Sequence, residues 1–299
     1  LAWLDGDRAH AKVITPPDTT VSLGPTDFGG RYETSRTLKV VAVDYGCDTS
    51  AVATYTWYVK QPSGRILLVD DLGDEGGRSS DSTTDAFYRG GLDLCQQDYS
   101  VLDIDKFGGM LSAFNLSKLF SMFDLVIWYN EPDTGPPKAP YVLHVPSAQQ
   151  DLETYVENGG HLLMASLWAV GSSGALSDSV WPEILGIDSV VVKDNSTSFD
   201  CKHWTIQSDV PPGPDSIQVV GLWGGVDCML PRPEAAPLYY IPPGTANTPR
   251  YTQTVPFYLG LLNSWGTGKA ALLTFPLSRS DGNGNATAEY CKLVNLLLQ

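Results

Sequence analysis

Two consecutive carboxylates, Asp70 and Asp71, follow an apolar run at residues 66–69. A continuous apolar run of this length predicts a strand buried on both faces, as the parallel strands of α/β sheets are. Open α/β sheets bind ligands beyond the carboxyl ends of their strands, so both carboxylates would lie at a crevice. There they could hold a divalent cation or take part in catalysis. Alternatively, they and Asp74 would cap the turn and helix that follow, where negative charge is favoured.

Two further strands are predicted at residues 124–129 and 161–166. Asn130 directly follows the first strand, and Ser166 is the last residue of the second. Because parallel strands end at the same edge of a sheet, we expect these side chains to lie near the carboxylates. The predicted ligand-binding crevice comprises Asp70, Asp71, Asp74, Asn130, Glu131, Ser166 and Trp168.

Strands alternate with short helices from Gly64 to the end of the chain. The strands are predicted at residues 66–71, 99–105, 124–129, 161–166 and 270–275, and the helices at 82–91, 116–122, 147–158, 181–185 and 286–298. Residues 188–250 are rich in Pro, Gly and Ser, and they are predicted to form an irregular insertion at one edge of the sheet. The alternation predicts an α/β fold with a doubly wound, mainly parallel, flavodoxin-like sheet over residues 64–299.

Residues 1–61 have a different pattern, which predicts a small all-β domain. About four strands are expected, and three of them are predicted at residues 19–23, 37–44 and 51–59. This segment resembles the immunoglobulin-like or fibronectin-like modules of bacterial surface and secreted proteins. Such modules have about seven strands in a β-sandwich, so the resemblance implies that residues 1–61 are part of one.

Composition limits the classes of partner. The net charge of −15 argues against nucleic acid, which needs a basic face, and there is no apolar run long enough to span a membrane. Only 19 Lys and Arg residues, beside 21 Pro and 29 Gly, are typical of exported proteins, so we expect an extracellular or cell-surface location. The chain begins with Leu1, and it is expected to be a fragment or a processed product.

The five cysteines do not have the C-x-x-C spacing of a zinc site. Cys201 and Cys228 flank one irregular stretch and are the candidates for a disulfide. Cys95 and Cys291 each lie beside apolar residues, and they are interpreted as small buried hydrophobic residues.

The α/β region resembles the class I glutamine amidotransferase-like superfamily. The resemblance rests on residues 66–71, on 123–130, on the run Leu152-x-x-Tyr155-Val156-x-x-Gly159-Gly160-x-Leu162-Leu163, and on 268–277. Catalytic members carry a Cys nucleophile in a Gly-x-Cys-x-Gly turn after a strand, with a later His and Glu.

The matching stretch of this chain, residues 164–168, has Ser166 at the Cys position and lacks both glycines. His203 is the only later histidine, and it lies in the predicted insertion. Ser166 and His203 are therefore the catalytic candidates, but the resemblance implies a noncatalytic member without a cofactor.

Two functions follow. The favoured one is a noncatalytic binding or structural module of a secreted or cell-surface multidomain protein. Its partners would be other domains of that protein and a carbohydrate or protein ligand. The alternative is a carbohydrate-active or metal-dependent hydrolase that uses the crevice, with Asp70 and Asp71 as candidate metal ligands.

Overall fold

The computed structural model divides the chain into two compact units, Leu1–Pro62 and Ser63–Gln299. It describes residues 1–15, 34–59, 61–72, 79–104, 116–130, 146–167, 170, 180–191, 198–200, 204–212, 215–220, 225–246, 252–280 and 283–299.

The N-terminal unit contains a three-stranded antiparallel sheet. Its strands are β1 (Ala2–Leu4), β2 (Thr34–Val40) and β3 (Ala53–Val59), in the order β1-β2-β3. A turn at Asp5 and Gly6 follows β1, and positive φ angles at both residues give it the backbone typical of an Asp-Gly turn. The Asp5 carboxylate pairs with Arg36 and accepts the Thr37 N–H at 2.8 Å, so it joins this turn to β2.

The expected sandwich is not seen among the described residues of this unit, which form the single sheet only. Two of the three predicted strands correspond to β2 and β3, although β2 begins and ends a few residues earlier than expected. The third, at residues 19–23, lies outside the described residues.

The larger unit is built from strands β4 to β16 and helices α1 to α5. The strands are β4 (Ile66–Asp70), β5 (Tyr99–Asp103), β6 (Leu125–Asn130), β7 (His161–Ser166), β8 (Ile187–Val190), β9 (Ser198–Asp200), β10 (Thr205–Ser208), β11 (Asp215–Gln218), β12 (Gly225–Asp227), β13 (Met229–Pro231), β14 (Ala236–Ile241), β15 (Phe257–Trp265) and β16 (Gly268–Leu273). The helices are α1 (Ser79–Leu94), α2 (Leu116–Phe120), α3 (Pro146–Glu157), α4 (Trp181–Ile184) and α5 (Ala286–Leu297). Within the described ranges, none of these helices is long and apolar enough to cross a membrane.

Five of these strands form the parallel half of one mixed sheet, in the order β5-β4-β6-β7-β16. Numbered along the chain, this order is 2-1-3-4-5, which is the order found in flavodoxin-like sheets. All residues of β4 and β6 are buried, which explains their continuous apolar sequences. The α/β class predicted from the alternation of strands and helices is confirmed.

The other half of the sheet is antiparallel. β15 pairs with β16, and β14, β10 and β11 continue the sheet in that order, while β13 and β8 branch from β15. Most of these strands belong to residues 188–250. This region therefore adds antiparallel strands to the sheet beyond β16. It contains more regular secondary structure than the irregular insertion that the sequence predicted.

Two apolar layers cover the two faces of the sheet. Ile66 and Leu68 of β4 face a layer that includes residues of α1 and α5. Leu67 and Val69 face the opposite layer, which includes residues of α2, α3 and α4. Because successive side chains of a strand point to opposite faces of the sheet, neighbouring residues pack in opposite apolar layers.

The interpretation of two cysteines was wrong. Cys95, just after α1, and Cys291, in α5, form a disulfide whose Cα atoms are 5.4 Å apart. Both helices pack on the same face of the sheet, which brings together two residues separated by 196 positions. Cys201 lies outside the described residues, so its pairing with Cys228 stays a prediction.

Candidate functional site

Four polar residues form a row across the carboxyl edge of the parallel strands, and we call them the polar row: Asp71, Asn130, Ser166 and Thr274. Asn130 and Ser166 are direct partners in the register of β6 and β7. Asp71 and Thr274 each follow the last residue of a neighbouring strand at the same level. All four are at most 3% exposed.

The polar row crosses the point where the strand order reverses, between β4 and β6. Asp71 and Asn130 stand on either side of that point. Ligands of open α/β sheets bind in the crevice at this reversal, because the connections leave the two strands in opposite directions. The row therefore lies where open α/β sheets bind their ligands.

The two outer members of the row have hydrogen bonds of their own. The indole Nε1 of Trp128 donates to Asp71 Oδ2 at 3.0 Å. The Thr274 hydroxyl donates to the backbone oxygen of Asp227 at 2.6 Å. These contacts hold the outer side chains in place.

The two inner members are different. Neither the amide nitrogen nor the amide oxygen of Asn130 has a hydrogen-bond partner among the described residues, and the residue is 1% exposed. Ser166 lies beside it in the register of β6 and β7 and is 2% exposed. A buried polar group without a partner costs about 1–3 kcal/mol, and native proteins rarely leave one. The Asn130 amide therefore has a donor and an acceptor that no described residue engages.

Asp70 does not belong to this row. It lies beside Tyr129 in the register of β4 and β6 and accepts the Leu72 N–H at 3.2 Å, whereas Asp71 contacts Trp128. Tyr129 and Trp128 face opposite layers of the sheet, so the two consecutive carboxylates do as well. The structure does not bring Asp70 and Asp71 to one point, as a shared metal ion would require.

Burial raises the pKa of Asp70 from its ordinary value of 3.8 to about 6. The neighbouring Tyr129 hydroxyl and the Leu72 N–H oppose this shift, whereas the nearby carboxylates of Asp103 and Asp85 add to it. Desolvation disfavours the charged form of an acid, so Asp70 holds its proton to an unusually high pH.

The catalytic candidates do not meet within the described structure. Ser166 has no imidazole or carboxylate bonded to it there, and His203 lies outside the described residues. His161 is at the opposite end of β7, five residues away. The described residues contain no cluster of three or more side chains suited to a metal ion. Asp74, Glu131 and Trp168 of the predicted crevice lie outside the described part.

Sequence reasoning missed Thr274, Tyr129 and Asp85. Polar residues at the ends of parallel strands were taken as site candidates. Thr274 directly follows β16, so it would have been a candidate had this strand been predicted to end at Leu273. Tyr129 and Asp85 are joined by a hydrogen bond of 3.1 Å across 44 residues, and no local pattern reports such a contact.

No protein-family model and no curated protein matches this chain. Three similar solved structures show how limited the likeness is. Cytoplasmic Protein STM1381 from Salmonella typhimurium LT2 has a TM-score of 0.47 and 12% identity over 88% of this chain and 96% of its own. A protein described as ThuA-like from Bacteroides uniformis ATCC 8492 has a TM-score of 0.47 and 12% identity, with 77% of this chain and 87% of its own covered.

The third is the exo-beta-1,4-mannosidase Op5Man5 from Opitutaceae bacterium strain TAV5, with a TM-score of 0.45 and 12% identity. The match covers 79% of this chain but only 36% of the mannosidase, so this chain spans about a third of that enzyme's length. TM-scores below 0.5 at such identities establish neither the family nor the function of this chain.

Proposed function

We propose that this protein is a noncatalytic binding module whose crevice, centred on Asn130 and Ser166, binds a carbohydrate. The observation that carries the proposal is the buried Asn130 amide without a partner. An amide offers a donor and an acceptor, and a serine hydroxyl offers both, which complements the neighbouring hydroxyls of a sugar. Asp71 and the net charge of −15 disfavour an anionic ligand, and a neutral sugar avoids that repulsion.

A noncatalytic role is supported by the arrangement of the acids and the serine. Glycosidases place two carboxyl groups on either side of one bond, whereas Asp70 and Asp71 face opposite layers of this sheet. Ser166 lacks a bonded base among the described residues, and a serine needs one to become a nucleophile.

A secreted or cell-surface location is part of the same proposal. The Cys95–Cys291 disulfide supports it, because such bonds persist in oxidising compartments and are rare in the cytosol. The low content of Lys and Arg is in keeping with export.

We further infer that the module belongs to a multidomain protein. The strand order 2-1-3-4-5 supports a glutamine amidotransferase-like, flavodoxin-like unit. The antiparallel sheet of residues 1–62 supports part of an immunoglobulin-like module before it. Other domains of the same protein would then be its partners.

A hydrolase is the second candidate, and one observation favours it. The pKa of Asp70, about 6, lies in the range of general acids that work near neutral pH. A carbohydrate-active enzyme could use such a group, although its carboxyl faces away from the polar row.

A glycan array followed by calorimetry with the glycans that bind distinguishes the two candidates. The same protein is incubated with a panel of p-nitrophenyl glycosides and esters. We expect binding of at least one neutral glycan and no turnover. Turnover that disappears in the Ser166→Ala or Asp70→Asn variant would establish the hydrolase instead, and failure of every glycan to bind would overturn the binding proposal.

A further inference from the structure

A cleft of about 260 Å³ opens between α2 and α3, and we call it the amino-edge cleft. Asp124 directly precedes β6 and Gly160 directly precedes β7, so the cleft lies at the amino edge of the parallel strands. The polar row lies at the opposite, carboxyl edge of the same strands. The amino-edge cleft is therefore separate from the proposed carbohydrate site. Its walls include Ser121, Phe123, Asp124, Thr154, Tyr155 and Asn158.

The polar side chains of the cleft direct their own donors at the protein backbone. The Ser121 hydroxyl donates to the backbone oxygen of Lys118, and the Thr154 hydroxyl donates to that of Gln150, each at 2.9 Å. The Asn158 amide nitrogen donates to the backbone oxygen of Thr154 at 2.8 Å. A hydroxyl has one proton but two acceptor lone pairs, and an amide oxygen is an acceptor only. These side chains therefore offer acceptor oxygens to a ligand.

Negative charge is concentrated at the same cleft. Asp124 contributes a carboxylate, and its Oδ2 forms an ion pair with Arg65. This pair lies at the surface, because the Asp124 side chain is 50% exposed and that of Arg65 66%. Asn158 directly follows the last residue of α3, so the carboxyl end of this helix lies at the cleft. Helix carboxyl ends carry partial negative charge and favour cations.

Two aromatic rings form the apolar part of the cleft. Phe123 and Tyr155 are 5% and 7% exposed, and the Tyr155 hydroxyl donates to the backbone oxygen of Phe123 at 3.1 Å. The backbone of Gly160 passes so close to the Tyr155 ring that a Cβ there would come within 2.2 Å of it. The ring is thus fixed between β6 and β7. Aromatic rings attract organic cations and also pack against aliphatic chains.

We propose that the amino-edge cleft binds an ammonium group carried on an aliphatic stem. An ammonium group has three donors and no acceptor, which complements the Asp124 carboxylate and the oxygens of Ser121 and Thr154. The stem packs against the rings of Phe123 and Tyr155. A single metal ion such as Ca²⁺ takes about six to eight oxygen ligands, and a cleft with two rings in its wall suits it less well.

An NMR titration of the 299-residue chain with n-butylammonium chloride tests the proposal. We expect saturable shifts of the Gly159 and Gly160 amide signals, with affinity at least tenfold higher than that of 1-butanol, which has the same stem without the charge. Equal affinity for 1-butanol, no saturable shift, or displacement of butylammonium by an equal concentration of Ca²⁺ would overturn the proposal.

A second probe identifies the source of the ammonium group. Nα-acetyl-lysine methylamide has the side chain of a lysine within a protein. Saturable shifts with this probe would support the proposal and extend it to lysine side chains of partner proteins. Shifts with butylammonium alone would support it for small amines.

Two substitutions at the ion pair should change the affinity for butylammonium in opposite directions. Asp124→Asn removes the carboxylate and should lower the affinity at least tenfold. Arg65→Gln removes the cation that pairs with Asp124, so it should raise the affinity severalfold. Asp209→Asn, which removes an exposed carboxylate directly after β10, should leave the affinity within twofold.

The direction of the Arg65→Gln effect separates ligand binding from a structural role. If the ion pair merely maintained the shape of the cleft, both substitutions at the pair would lower the affinity. A loss in Arg65→Gln comparable to that in Asp124→Asn, or an equal loss in Asp209→Asn, would refute the proposed site. None of these positions belongs to the polar row, so the outcome does not depend on the carbohydrate proposal.

Discussion

Two buried asparagines in the same sheet differ in whether their side-chain amides have hydrogen-bond partners. Asn263 in β15 donates to the backbone oxygens of Glu183 and Ile184, at 2.9 and 3.1 Å, and so holds the end of α4. Asn130 is equally buried, yet its amide has no partner among the described residues. The first stabilises the fold, whereas the second is expected to reduce its stability.

Replacement of each asparagine by leucine should therefore have opposite effects. Asn130→Leu removes an unpaired amide and should raise the free energy of unfolding by about 1–3 kcal/mol. Asn263→Leu leaves two backbone oxygens without their donor and should lower it by about 1–3 kcal/mol. Urea denaturation of both variants measures the difference, and a loss of stability in Asn130→Leu comparable to that in Asn263→Leu would assign Asn130 a structural role.

The buried carboxyl of Asp70 makes stability depend on pH. Its pKa is about 6 in the folded protein and 3.8 as the ordinary value, so the folded state retains a proton that the unfolded state has lost. The stabilising contribution is complete below about pH 4 and is lost as pH rises through about 6. A shift of about two pKa units corresponds to about 3 kcal/mol.

The Asp70→Asn variant should thus gain stability relative to the wild type as pH rises from 4 to 7. The relative gain should approach about 3 kcal/mol and level off above pH 7. Denaturant titrations at several pH values provide the measurement. A difference between the two proteins that does not change with pH would show that Asp70 has an ordinary pKa.

At the scale of elements, a glycine determines how closely two strands can pack. Gly260 lies in β15, and a Cβ there would come within 2.6 Å of the Tyr239 ring and 3.0 Å of a Leu273 methyl. Both neighbours are fully buried, or nearly so, and cannot move into solvent. The same glycine interrupts the apolar run of β15, which is one reason why the sequence did not predict this strand.

Gly260→Ala should consequently destabilise the protein by about 1–3 kcal/mol through overpacking. Gly90→Ala is the matched control, since a Cβ at that position in α1 meets nothing within 4 Å. Because alanine is the better helix former, the control should be neutral or more stable by up to about 1 kcal/mol. Equal melting temperatures of the two variants would contradict the packing at β15.

The disulfide joins two elements that lie far apart in the sequence. Cys95 and Cys291 connect the end of α1 to α5, and they close a loop of 196 residues. The Cys95→Ser/Cys291→Ser double variant should lose about 2–5 kcal/mol of stability. Mass spectrometry of the nonreduced wild type should show the linked peptides, and two free thiols at these positions in freshly purified protein would contradict the pairing.

For the whole molecule, the sequence predicted the parallel strands better than the rest. β4, β6 and β7 are buried on both faces, so their residues form continuous apolar runs that are readable without a partner strand. β10, β11 and β13 are strands of three or four residues within a region rich in Pro and Gly. β13 pairs with β15, whereas β10 pairs with β14 and β11, and a local pattern cannot report partners that lie elsewhere in the chain.

The positions of two candidate site residues were predicted for the same reason. Asn130 and Ser166 end parallel strands, and the strand-end rule located both. The opposite orientation of Asp70 and Asp71 also follows from alternation along a strand, although the pair suggested a single acidic site. Two contacts could not be predicted, namely the disulfide between Cys95 and Cys291 and the hydrogen bond from Tyr129 to Asp85. Both depend on how α1 and α5 pack on the sheet, which only the folded chain reveals.

Asn130 is proposed to bind a neutral carbohydrate at a noncatalytic site. Calorimetry with a glycan that the wild type binds tests it most directly, in Asn130→Leu and Asn263→Leu beside the wild type. We predict that Asn130→Leu, although at least as stable as the wild type, loses affinity at least tenfold, while folded Asn263→Leu retains it. Unchanged affinity in Asn130→Leu, or equal losses in both variants, would contradict the account.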